Sequence, residues 1–224
     1  MKQIFVLLLA VSLACAFSAC GGTGIQSDSA SSQAFQEETQ TGSESPTDER
    51  NIPTGDEEEN VLVAYFSATG NTEKIANHIQ TILDADLYEI VPNVPYTSED
   101  LNYSNSTCRA NQEQNDPSAR PAIASTLENP EDYDVVFLGY PIWWGQAPKI
   151  ISTFLESYDF GESTIVPFCT SGSSGIGTSA DDLHALAPEA RWMEGQRFSS
   201  TAEEATVFAW LEGLELTGTS GIVE

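Results

Sequence analysis

The feature that most constrains this chain is the run VLVAYF at residues 61–66, in which every residue is apolar, β-branched or aromatic. Such a run is typical of a strand that is buried on both faces of a sheet. A short polar turn follows, and then apolar residues recur at helical spacing over residues 72–83. The same succession of strand and helix continues toward the C-terminus. It predicts an α/β fold, a doubly wound parallel sheet with helices on both faces.

Five strands and four main helices are expected from this pattern. The strands are predicted at residues 61–66, 85–91, 134–140, 163–169 and 190–193. Three helices are predicted at residues 72–83, from Pro148 onward and across residues 178–188. A fourth helix is predicted to begin at a capping box formed by Thr201 and Glu204 and to end near Gly213. Residues 92–130 are long and polar, with one helix expected within 98–114.

Three unusual loops follow the first, third and fourth predicted strands, at the edge where ligands of open parallel sheets bind. The first loop offers three hydroxyls, a glycine, an asparagine and the free N–H groups of a helix N-terminus, which together can bind a phosphate. Its residues are Ser67, Ala68, Thr69, Gly70, Asn71 and Thr72. Helix capping by Thr69 or Asn71 would explain the same residues without any ligand. The Walker pattern is absent, which disfavours hydrolysis of a nucleoside triphosphate.

The second and third loops carry residues suited to a flat ring. The second contains adjacent tryptophans, of which one is expected to stack on a heterocycle and the other to pack inward, with Trp144 favoured as the stacking residue. Both could instead belong to the core. The third loop is flexible enough to bring backbone amides against a ligand. The candidate residues are Pro141, Ile142, Trp143, Trp144 and Gly145 in the second loop and Ser171, Gly172, Ser173, Ser174 and Gly175 in the third.

Taken together, the segments SATGNT, GYPIWWG and FCTSGSSGIG resemble the three FMN-binding loops of the flavodoxins, and the resemblance extends over residues 61–224. It implies a five-stranded parallel sheet in the order 2-1-3-4-5. It also implies that the FMN phosphate is bound by the first loop, at Ser67, Thr69, Gly70, Asn71 and Thr72, and that the isoalloxazine lies between the second and third loops. Residues 92–130 are longer than in a minimal flavodoxin and could cover the flavin edge.

Three functions follow from this resemblance. The first is a non-covalent FMN electron carrier whose partner is a redox protein or a small-molecule acceptor. The second is an FMN-dependent quinone or NAD(P)H oxidoreductase, and the third is a binding protein without flavin, since a chain exported unfolded would have to acquire FMN afterwards. The net charge of −26 excludes nucleic acid as a partner. The same charge would repel the negative charge that FMN gains on reduction, which lowers the reduction potential and favours a low-potential electron donor. A monomer without metal is expected.

The N-terminal segment indicates export. A short positive start precedes an apolar run at residues 4–17 that is too short to span a membrane comfortably. The sequence around Cys20 resembles a bacterial lipobox, which implies a signal peptide at residues 1–20 and diacylation of Cys20. Residues 21–60 contain ten acidic residues and one arginine, and they are expected to form a disordered tether. The domain would then be lipid-anchored on the extracytoplasmic face of a bacterial membrane, unless Cys20 is incidental to an ordinary signal peptide.

Overall fold

The computed structural model describes residues 59–214 and residue 216. The predicted signal peptide with Cys20, and all but the last two residues of the predicted tether, lie outside the described residues. In the part that the structure describes, no helix is both long and apolar enough to cross a bilayer.

The described residues form one parallel sheet flanked by helices. Its strands are β1 (Val61–Tyr65), β2 (Asp86–Glu89), β3 (Val135–Pro141), β4 (Thr164–Thr170), β5 (Arg191–Trp192) and β6 (Gln196–Phe198). The order across the sheet is β2-β1-β3-β4-β5, and every pairing is parallel. The predicted fold class and strand order are therefore confirmed.

The helices cover both faces of the sheet, as predicted. They are α1 (Asn71–Leu83), α2 (Arg109–Asn115), α3 (Lys149–Ser157) and α4 (Glu204–Glu212). On one face, Ile75 and Ile79 of α1 and Val207 of α4 pack with the sheet in a single apolar cluster. On the other face, Ile150 and Phe154 of α3 do the same. These side chains are fully buried, so the layers are fixed by the hydrophobic effect.

The fifth position of the sheet differs from the prediction, because two short strands share it. β5 pairs with Thr164 and Ile165 at the start of β4, whereas β6 pairs with the residues from Phe168 to Thr170 at its end. Between these two stretches lies Pro167, which has no N–H to donate to a neighbouring strand. The predicted strand at residues 190–193 corresponds to β5, and the interruption of the ladder at a proline explains why a separate, unpredicted strand, β6, pairs with the end of β4.

The last two predicted helices also differ from the structure. Residues 178–188 were expected to be α-helical, but only a 3-10 helix forms, at Asp181–Leu186. Pro188 disfavours the α conformation at Ala187, and the Ala187 carbonyl accepts a hydrogen bond from the Trp192 indole (3.1 Å) rather than from a further turn of helix.

The predicted capping box is wrong. Helix α4 begins at Glu204, after Glu203 as the capping residue, and no side chain caps it. Thr201 lies outside the helix and forms a hydroxyl–hydroxyl hydrogen bond with Ser199 (2.9 Å). This local bond competes with the capping function that the sequence suggested. The predicted stop near Gly213 is confirmed.

β3 and β4 approach each other closely at Gly139, and this contact allows a prediction about stability. A Cβ at Gly139 would lie 2.2 Å from Cζ of Phe168, a buried residue of the neighbouring strand. We expect Gly139→Ala to lower the free energy of unfolding by about 2 to 3 kcal/mol, because overpacking forces the strands apart. Gly172→Ala, where a Cβ meets nothing within 4 Å, is the matched control and should change stability little. Equal losses in chemical denaturation of both variants would contradict this account.

Candidate functional site

A cavity of about 320 Å³ lies where β1, β3 and β4 end, at the carboxyl edge of the sheet. The three loops identified from the sequence meet there, together with residues from two other segments. The cavity is lined by Ser67, Ala68, Thr69, Asn71, Thr72, Leu101, Tyr103, Pro141, Ile142, Trp143, Thr170, Ser171, Gly172 and Ser200. Its size and its mixture of hydroxyl and aromatic groups suit a small ligand with one polar and one flat part.

Most of the residues predicted for the site line this cavity, but some do not. The predicted residues that do not line it are Gly70, Trp144, Gly145, Ser173, Ser174 and Gly175. The lining residues that the sequence analysis missed are Leu101, Tyr103, Thr170 and Ser200. Leu101 and Tyr103 belong to the long polar segment at residues 92–130, where isolated apolar and aromatic residues were the only available signal.

The first loop leads into α1 without any side-chain cap. Gly70 is the capping residue, in a left-handed conformation (φ +80°) that glycine adopts without strain. Asn71 Nδ2 donates to Thr69 Oγ1 (3.2 Å), so these two side chains bind each other rather than the helix end. The alternative in which Thr69 or Asn71 caps the helix is therefore not observed. The first N–H groups of α1 keep their affinity for an anion.

Two hydroxyls in this loop have different surroundings. Ser67 Oγ is buried and has no hydrogen-bond partner among the described residues. Thr72 is also buried, but its hydroxyl forms a hydrogen bond with Thr170 Oγ1 (2.8 Å). A buried hydroxyl without a partner is uncommon in folded proteins, because leaving it unpaired is costly. Ser67 therefore fits a cradle that a bound oxyanion completes, beside an uncapped helix N-terminus.

The second loop is a tight turn in which two successive residues are left-handed. Trp144 (φ +47°) and Gly145 (φ +82°) are its central residues, and Trp143 and Gln146 exchange backbone hydrogen bonds (2.9 and 3.0 Å) around them. A bulky residue at positive φ has a strained backbone conformation, and this strain costs about 1 to 3 kcal/mol. Such strain persists only where the surroundings hold the residue in place.

The two tryptophans point in different directions, as expected. Trp143 is buried and packs edge-on against Phe66 (centroids 5.5 Å apart) and Tyr96 (5.0 Å). Trp144 is 36% exposed and stacks on Tyr103, with ring centroids 4.3 Å apart and an angle of 25°. Of this stacked pair, Tyr103 lines the cavity and Trp144 does not.

The segment at residues 92–130 is bound to the second loop from outside. Gln114 of α2 donates through Nε2 to the carbonyls of Trp143 (3.0 Å) and Ala147 (3.1 Å). The Tyr103 hydroxyl donates to the Ile142 carbonyl (3.3 Å). These bonds hold the tryptophan turn in position, so the segment supports one wall of the cavity and contributes lining residues to it.

The third loop is held by an arginine from β6. Arg197 donates from Nε to Ser171 Oγ (3.1 Å) and from Nη2 to the carbonyls of Ser171 (2.7 Å) and Gly172 (3.0 Å). The Ser171 hydroxyl in turn donates to the Ser174 carbonyl. Arg197 was not among the predicted site residues, because β6 itself was not predicted from the sequence.

The ionisable groups near the cavity are few. Tyr103 is the one ionisable side chain among the described lining residues, and burial raises its pKa above the ordinary value. Cys169 lies just before the third loop, and burial raises its pKa to about 12, so it stays a protonated thiol. Cys108 and Cys169 are both free and buried. In the part of the chain that the structure describes, no cluster of three or more His, Cys, Asp or Glu side chains could hold a metal.

Comparison with known proteins connects this geometry to a family. The sequence profile of the family described as Flavodoxin matches residues 60–214. A candidate flavoprotein from Bacteroides eggerthii is 47% identical, with 70% of this chain and 99% of that chain covered and a TM-score of 0.66. Another from Bacteroides uniformis is 40% identical, with 69% and 98% covered and the same TM-score.

A more distant structure, a flavoprotein in complex with FMN from Lactobacillus acidophilus, is 22% identical, covers 68% of this chain and 99% of its own, and has a TM-score of 0.52. At this identity the likeness concerns the fold alone. No curated protein matches the chain at a significant level.

Proposed function

Because the chain belongs to the flavodoxin family, we propose that its described domain binds one FMN non-covalently and transfers electrons. The cofactor is FMN. The observation that carries the proposal is the cavity at the carboxyl edge of the sheet, where a buried, unpaired hydroxyl lies beside an uncapped helix N-terminus. When bound, FMN accepts and returns one or two electrons, and the protein supplies binding, orientation and the local field.

The first loop would hold the phosphate. Ser67 Oγ supplies a buried hydroxyl that has no other partner, and Thr69 and Thr72 supply two more. The N-terminal N–H groups of α1 add the positive end of the helix dipole. The loop achieves this without a lysine or arginine, so the phosphate would be recognised by neutral donors whose arrangement is fixed by the turn at Gly70.

The isoalloxazine would lie between the second and third loops, against Tyr103. This tyrosine lines the cavity, and its ring is backed by Trp144, which holds it by stacking. Trp143 also lines the cavity, and its packing against Phe66 and Tyr96 fixes its ring. The rings of Tyr103 and Trp143 present apolar area for a flat heterocycle and exclude water from one side of it.

The lining residues support an electron carrier rather than an enzyme that transforms a substrate. An oxidoreductase acting on a quinone or on NAD(P)H often needs a side chain that gives or takes a proton near pH 7. Among the described residues of the cavity wall, only Tyr103 is ionisable, and its raised pKa keeps it neutral there. The wall thus offers binding and orientation without general acid–base catalysis.

We propose further that the domain works outside the cytoplasm, attached to a bacterial membrane through a lipid on Cys20. The support for this is the sequence of residues 1–60, with its apolar segment, its Cys-Gly-Gly and its acidic continuation. A diacylated cysteine provides two acyl chains, which suffice for stable attachment. The acidic segment would keep the domain away from an anionic bilayer.

The phosphate assignment is tested by comparing FMN with riboflavin, which lacks the phosphate. We expect Ser67→Ala to weaken FMN about 10- to 100-fold and riboflavin very little, because a hydrogen bond to a charged oxygen is worth about 1.5 to 3 kcal/mol. Ser173→Ala is the matched control, because Ser173 lies in the third loop and does not line the cavity. Equal losses for both ligands, measured by titration calorimetry, would place the phosphate elsewhere.

The assignment of the aromatic wall is tested by two substitutions. We expect Tyr103→Ala to weaken FMN by about tenfold or more and Trp144→Ala to weaken it less, because Tyr103 lines the cavity and Trp144 supports it from behind. Tyr103→Phe keeps the ring and should bind FMN nearly as well as the native protein. A larger loss in Trp144→Ala would show that Trp144 itself contacts the flavin, as the sequence suggested.

The anchor is tested by fractionating cells that express the full chain. We expect Cys20→Ser to release the protein from the membrane fraction, because the acidic segment has no affinity of its own for anionic lipid. Cys15→Ser, which changes the other cysteine of the predicted signal peptide, should leave the protein in the membrane fraction. Retention of Cys20→Ser in the membrane would mean that the apolar segment itself remains as the anchor.

A further inference from the structure

Arg197 is the one charged side chain that the described structure places against the third loop by several hydrogen bonds. Its guanidinium binds Ser171 Oγ and the carbonyls of Ser171 and Gly172 at 2.7 to 3.1 Å. Ser171 and Gly172 both line the cavity. A full positive charge is therefore hydrogen-bonded to two residues of the cavity wall, although Arg197 itself does not line the cavity.

This charge has no carboxylate partner among the described residues. Arg109 and Arg120 form ion pairs with Glu113 and Glu156 respectively, whereas the contacts of Arg197 are to a hydroxyl and two carbonyls. In a chain with a net charge of −26, an arginine without an acidic partner is notable. Its field is also felt inside the core, where it opposes the effect of burial on the pKa of Cys169.

The hydrogen bonds of Arg197 also fix the orientation of two peptide groups. In a planar trans peptide, the carbonyl and the following N–H point in opposite directions. The carbonyls of Ser171 and Gly172 are directed at the guanidinium, so the N–H groups of Gly172 and Ser173 are directed away from it. Neither N–H donates to a protein acceptor in the described structure. The loop thus presents two free donors that arginine has oriented in advance.

From this arrangement we propose that Arg197 is a positioning residue for the flavin site, which fixes the third loop and makes bound FMN easier to reduce. The proposal rests on the proposed function of the cavity as an FMN site. Reduction adds negative charge to the flavin, and a nearby cation stabilises the reduced form more than the oxidised form. Arg197 therefore raises the potential of the bound flavin locally, against the lowering expected from an acidic protein.

Substitutions that separate charge from hydrogen bonding test this role. In Arg197→Gln the charge is lost, and we expect reduced FMN to bind about tenfold more weakly relative to oxidised FMN, which corresponds to about 30 mV in the two-electron midpoint potential. Arg197→Lys keeps the charge and should stay close to the native potential. Arg120→Gln, which removes one positive charge paired with Glu156, is the control for net charge and should leave the potential unchanged.

The potentials are measured by equilibrium titration against a reference dye. A native potential in Arg197→Gln would overturn the proposal, and so would an equal fall in Arg197→Gln and Arg197→Lys, because geometry alone would then account for the effect. If Arg197→Gln does not fold, Arg197→Met removes the same charge with a side chain of similar reach. Failure of the native protein to bind FMN would instead refute the proposed function.

The positioning role has a readout that needs no flavin. In the flavin-free protein, we expect the backbone amide of Ser171, which donates to the Phe198 carbonyl (3.2 Å), to exchange hydrogen faster in Arg197→Gln than in the native chain, because the loop loses its anchor. Exchange in β1 and β3 should be unchanged. A native exchange rate at Ser171 in the variant would contradict the positioning role.

Discussion

The parallel direction of the strands is the constraint on which the site depends. Because β1, β3 and β4 run the same way, the loops that follow them meet at one edge of the sheet, although they are separated by long stretches of sequence. The strands are held in register by fully buried apolar side chains on both faces. The loops themselves need little apolar content, and they can be built from hydroxyls, glycines and aromatic rings that would contribute poorly to a core.

The cavity wall differs in charge from the chain as a whole. The chain carries a net charge of −26, but none of the described lining residues is a carboxylate or a cation. Charges farther away than about 8 Å are largely screened by physiological salt. Two nearby groups are positive, the N-terminus of α1 and the guanidinium of Arg197, whereas Glu73 in the first turn of α1 brings a carboxylate close to Gly70. The two positive groups act on a bound flavin in the direction opposite to the overall charge of the chain.

The sequence predicted the features that depend on periodicity and local turn chemistry. The strand order, the helices on both faces and the three loops at the carboxyl edge follow from buried runs such as residues 61–66 and from the polar turns after them. It did not predict features that depend on contacts between distant residues. The break in the ladder at Pro167 and the hydrogen bond from the Trp192 indole to the Ala187 carbonyl appear only once the chain is folded. For the same reason neither the place of Tyr103 in the cavity wall nor the hydrogen bonds of Arg197 to the third loop could be predicted from the sequence.

The central claim, that this cavity binds FMN, is tested most directly by titrating the purified flavin-free protein with FMN while following flavin fluorescence. The account predicts saturable quenching at one FMN per chain, since aromatic rings adjoin the cavity, together with a rise in melting temperature from ligand binding. Fluorescence that stays equal to that of free FMN, with no change in melting temperature at excess ligand, would contradict the account.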